Sequence, residues 1–145
     1  MSKKSVLWGV ASFAIIIALV MAMIPAGNVA AGNDHDKDLK KEWDAAVSAF
    51  HTQESIHPKA HQMVDAWFKQ HKDASSSEKS HMQGHLNVCN SVMSGGYSLI
   101  YNHPGFDSSG KVIDRELAHN SVYQLRSYTS RHSGTVNAIK EHAKD

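Results

Sequence analysis

Cysteine is almost missing from this chain, net charge is scarce, and each shortage removes a class of protein. One Cys in 145 residues leaves no internal disulfide, no Cys-x-x-Cys pair and no Cys-x-x-Cys-His haem attachment. Fifteen Lys+Arg against 14 Asp+Glu give a formal charge of +1, without the excess of basic residues that marks a nucleic-acid binder. No stretch alternates convincingly with period two, which disfavours a sheet. Internal repeats, heptad arrays, Gly-rich phosphate loops and Ser/His/Asp order signatures are absent too. The enzyme classes easiest to recognise are thereby removed, and no nucleophile, base and orienter fall together by spacing.

What is abundant is histidine. The chain has 11 His, where background usage of roughly 2% would give about three. Imidazole titrates near neutrality and is the commonest metal ligand, so the excess points to metal ligation, proton chemistry or a pH response.

The long apolar run is at the N-terminus. Lys3 and Lys4 precede Val6–Ile24, interrupted only by Gly9 and Ser12, and Pro25-Ala26-Gly27-Asn28-Val29-Ala30-Ala31 follows. These are the parts of a secretory leader, with Val29 and Ala31 at the two recognised positions of the cleavage site. The run is also nearly long enough to cross ~30 Å of hydrocarbon. Residues 1–31 therefore read as a signal peptide or a signal-anchor transmembrane helix. Both place the remainder on the extracytoplasmic side, periplasmic or cell-surface, with the lysines inside. Residues 32–145 keep every histidine. Loss of Lys3 and Lys4 from the 15 basic residues leaves 13 against 14 acidic, a formal charge of −1.

The exported part reads as an all-α domain, a small antiparallel bundle of about four helices. Leu39, Trp43, Ala46, Val47 and Phe50 recur at helical spacing from about Asp36 to Thr52. Pro58 suits the first turn of a second helix carrying Ala60, Val64, Trp67 and Phe68 to about Lys72. Ser75 or Ser77 caps a third, with Met82, Leu86, Cys89 and Met93 inward, ended by Gly95-Gly96. A fourth runs from about Lys111 with Ile113, Leu117, Leu125, Tyr128 and Ile139 on one face, broken near Ser133-Gly134. Residues 97–101 carry no assignable pattern.

Three constellations carry candidate chemistry. Glu-x-x-His occurs as Glu54/His57, Glu78/His81 and Glu116/His119, the pairing used by carboxylate-bridged di-iron bundles. Pro58 after His57 and the outward phase of His119 argue against that use. His81, His85, Cys89 and Met93 form a ladder in steps of four, which drifts by ~40° per step and cannot converge on one ion. Folding the second predicted helix back on the third makes facing positions sum to about 149, bringing His57 and His61 level with Cys89 and Met93.

The expected ligand set is therefore His57, His61, His85, Cys89 and Met93. Sulfur with imidazole favours copper over hard ions. The same hairpin leaves His71, Glu78 and His81 at its closed end, a nitrogen and oxygen group suited to zinc or nickel. Haem held non-covalently by a His and a Met is a weaker alternative. The competing reading is a non-catalytic accessory subunit of an envelope membrane-protein complex, with incidental histidines and Cys89 as a small buried thiol. Membrane contact would come through residues 6–24 if the leader is retained.

Overall fold

The computed structural model describes residues 34–144; the expected leader or anchor lies outside the described residues. Among the described residues there are three helices: α1 (Asp34–Gln70), α2 (Ser76–Asn102) and α3 (Arg115–His142). The domain is all-α, and the only β pairing among these residues is an isolated antiparallel bridge between Phe106 and Val112. No helix among them is long and apolar enough to cross a membrane.

The short connection after Gln70 turns α2 back along α1, as the hairpin reading requires. Asp36 with Arg115, Glu42 with Arg126 and His57 with His132 then run in the same order along α1 and α3, so those two helices are parallel. The two exposed ion pairs contribute only about 0–1 kcal/mol each.

Three described helices stand where the periodicity suggests four. The first two predicted helices are one, with Pro58 inside it. Its missing N–H removes the bond to the Glu54 carbonyl, a cost that tertiary packing on both sides offsets. Phe50 and Ala60, on either side of the proline, are both fully buried. Gly95-Gly96 does not end α2 either, because these glycines admit neighbours: a Cβ at Gly96 would overlap the Phe50 ring, and one at Gly95 would meet Tyr128. Residues 97–101 simply continue the helix. Ser133-Gly134 likewise lies within α3.

Ser75 caps α2. Its hydroxyl accepts the Glu78 N–H while the Glu78 carboxylate accepts the Ser75 N–H, closing a capping box. Asp114 caps α3 through the Leu117 N–H. The α2–α3 connection is fastened by Phe106, buried to 3% exposure and stacked on Trp43 at 5.2 Å between ring centres. The chain reaches that position through Gly105, whose φ of +87° places it in the left-handed region.

The inward faces expected for α1 and α2 are buried, with Val47 and Phe68 partly so. On α3 the expectation fails at the start: Ile113 and Leu117 are exposed, while Ala118, Ser121, Val122 and Leu125 point inward. The helix begins at Arg115 and its phase is set by the Phe106 loop.

The core is divided lengthwise. One apolar cluster contains Leu39, Trp43, Ala46, Phe50, Met93, Phe106 and Leu125. The other contains Ala60, Val64, Trp67, Met82, Leu86, Cys89, Val136 and Ile139. Between them, at the level of Gln53 to His57 on α1, lies a polar layer.

Candidate functional site

Two groups of histidines occupy different depths of the bundle. The first is the polar layer, formed by His57 and His61 on α1 and His132 on α3. His132 is fully buried. Its Nδ1–H donates to Gln53 Oε1 at 3.0 Å, which fixes the tautomer and leaves Nε2 as an acceptor. Nε2 accepts the His57 Nδ1–H, also at 3.0 Å. His61 packs edge-on against His57, 4.9 Å between ring centres, and donates from Nε2 to Asn90 Oδ1.

Burial, then the nearby His57, holds His132 down from its ordinary 6.5 to about 4. His57 is lowered by burial first and His61 second, against Asn90, which favours its charged form. No carboxylate contributes to either shift. A dication here would face neutral ligands in a desolvated layer without a compensating anion, an expensive arrangement.

The second group lies at the other end of the lower cluster, where α1 and α3 finish and α2 begins. His81 and His85 are one turn apart on α2, with ring centres 4.7 Å apart. His142, the last residue of α3, stacks on His81 at 5.0 Å with planes within 3°, and lies 6.2 Å from His85. His81 is exposed and the other two are half-buried. Among the described residues none of these three rings hydrogen-bonds to a protein group. Burial, then His81 and His142, pushes His85 below its ordinary 6.5.

Two further groups border this end. His71 stacks on Trp67 at 4.8 Å and donates from Nδ1 to the Trp67 carbonyl, leaving Nε2 with its lone pair. The Glu78 carboxyl is held below its ordinary 4.5 chiefly by the Ser75 hydroxyl and backbone, and also by His142 and His71. It keeps a negative charge beside the imidazoles at neutral pH.

An ion held by three imidazole nitrogens at ~2.0–2.1 Å in tetrahedral directions sets the ring centres roughly 5 Å apart. The measured 4.7, 5.0 and 6.2 Å bracket that spacing. As the side chains stand, no group of three or more His, Cys, Asp or Glu among the described residues is placed to hold a metal ion.

The five sequence-predicted ligands are therefore spread over four places. His57 and His61 are together in the polar layer. His85 belongs to the open end. Cys89 is fully buried in the lower apolar cluster, and burial pushes its thiol up to about 11. Met93 lies in the upper cluster with Phe50. Sequence reasoning missed His142 and His132 as partners. The signal available for both was the parallel run of α3 along α1, hidden by the irregular connection between α2 and α3.

No protein-family model, curated protein or solved structure matches the chain. The function must be read from the side chains themselves.

Proposed function

We propose that residues 32–145 form an exported domain that binds a divalent first-row transition metal, for storage, delivery or sensing, at His81, His85 and His142. The observation that carries this reading is three imidazoles from two helices, free of hydrogen bonds to protein groups, next to the charged carboxylate of Glu78. Imidazole with carboxylate suits zinc, nickel and copper(II). The sulfur-containing site expected from spacing favours copper, but the high thiol pKa works against ligation by Cys89, since the thiolate is the ligand. Chelation would tie the end of α3 to the start of α2 and stabilise the bundle by mass action.

The test is metal content and affinity. Protein isolated from the cell envelope should carry a near-stoichiometric metal, and chelator-treated protein should titrate with zinc, nickel or copper(II) at micromolar affinity or better. A metal-free isolate that shows no binding in calorimetry would defeat the reading.

A second reading, an accessory subunit of an envelope membrane-protein complex, is favoured by large side chains left exposed toward the opposite end. Tyr101 is 85% exposed, Ile113 68% and Tyr123 67%. Co-purification with a larger membrane protein in mild detergent, lost in a Tyr101→Ser/Ile113→Ser variant, would support it; a monomer alone would count against it.

A further inference from the structure

We propose that the His57–His132 hydrogen bond is an acid-operated latch across the α1–α3 seam, closed while the two facing nitrogens hold one proton between them and opened when a second arrives. The geometry sets this limit. Gln53 commits the Nδ1–H of His132, so its Nε2 must accept from His57. Once His57 carries a proton on both its nitrogens, protonating Nε2 of His132 sets two N–H groups against each other across 3.0 Å. The bond cannot survive that change, because neither nitrogen retains a lone pair directed at the other.

The surroundings offer the new charge nothing. From α1 the neighbouring titratable rings are His57 and His61, both able only to add positive charge. From α2 comes the neutral amide of Asn90, followed by the thiol of Cys89 in the adjoining apolar cluster. On α3 itself, His132 lies between exposed Arg131 and half-buried Ser133.

Gln53 also lines a shallow groove between α1 and α3 of about 470 Å³, with Ala49, Thr129, Ser133, Gly134 and Arg126, whose positive charge gives a protonated ring no compensation. Gly134 has open space where a Cβ would stand. Acid thus favours a state in which this seam is parted, while the capping box on α2 and the Phe106 plug lie elsewhere.

The experiment is urea unfolding of the full chain in mild detergent with a chelator, from pH 7 to pH 4.5, for wild type and His132→Leu. With an unfolded imidazole near 6.5 and the folded one near 4, the neutral ring's contribution is complete above about pH 6.5 and declines as pH falls toward 4. Over this range the wild-type unfolding constant should rise on the order of 50-fold more than that of the variant. Histidines outside the pair titrate in both proteins and cancel in the difference, which therefore reads the coupled His57–His132 pair. Nitrogen NMR of native wild-type rings gives a reading without any variant: His132 should hold its proton on Nδ1 and remain neutral to about pH 5. Equal acid sensitivity in wild type and His132→Leu, or a His132 midpoint near 6.5 in an intact bundle, would overturn the latch.

Discussion

The two histidine groups share one plan, a pair one turn apart on one helix and a third ring from α3, and they differ in what their nitrogens are doing. In the polar layer every assigned proton has an acceptor: Gln53 for His132, His132 for His57, Asn90 for His61. At the open end the rings of His81, His85 and His142 pack on one another, and His142 also on Trp67, without hydrogen bonds to protein groups among the described residues. Spacing alone does not distinguish a satisfied core network from a chelating one. The amides beside the first group and the carboxylate beside the second make the distinction.

The comparison can be broken most forcefully at His132. His132→Ala should destabilise the bundle by about 2–4 kcal/mol, since it leaves a cavity and strands Gln53 and His57; His142→Ala should cost at most about 0.5 kcal/mol. Urea unfolding with a chelator present measures both, and equal costs would erase the distinction.

Metal affinity should reverse that order. His81→Ala, His85→Ala and His142→Ala should each weaken binding about 10-fold or more, roughly 1.4 kcal/mol, and His57→Ala should leave it within about twofold. Calorimetric titration decides; a loss at His57 equal to that at His81 would move the site into the polar layer.

A smaller effect is expected from Glu78→Gln. Losing the charge should weaken metal binding several-fold, and losing the charged half of the capping box should lower stability slightly. The sign with pH is the same as for His132, since both groups are depressed on folding: the folded carboxyl lies below 4.5, so its stabilisation is complete above the ordinary carboxylate range and is lost as pH falls through the depressed value. Stability of wild type minus Glu78→Gln, measured between pH 3 and 6, should shrink toward the acid end.

The smallest effect belongs to Arg126→Ala, which removes an exposed pair with Glu42 at 3.2 Å. It should change stability by less than about 1 kcal/mol and leave both histidine groups unaltered.

How far the sequence reaches follows from which forces are local. Leu39, Trp43, Ala46 and Phe50, and Met82, Leu86, Cys89 and Met93, keep helical period within one element, and all eight are buried. The proline at 58 and the paired glycines at 95 and 96 are local breakers whose cost is offset by contacts from other helices, so their outcome is not written in their own neighbourhood. Ile113 and Leu117 fit a helical stripe but fall outside the core, because Phe106, in a turn-rich segment without period, sets where α3 starts. At the site, the His57–His61 and His81–His85 pairs were legible as one-turn spacings. Their third members, His132 and His142, depend on the course of a helix after an irregular loop, and only the fold supplies that.

His142 also closes α3, and the final turn of a helix is where amide hydrogens exchange soonest. An ion gripping that ring would hold the turn shut until it dissociated, so the exchange rate of the amides near Ile139 and Lys140 would report occupancy directly. A residue placed for ligation would then act as a clock for how long the ion stays.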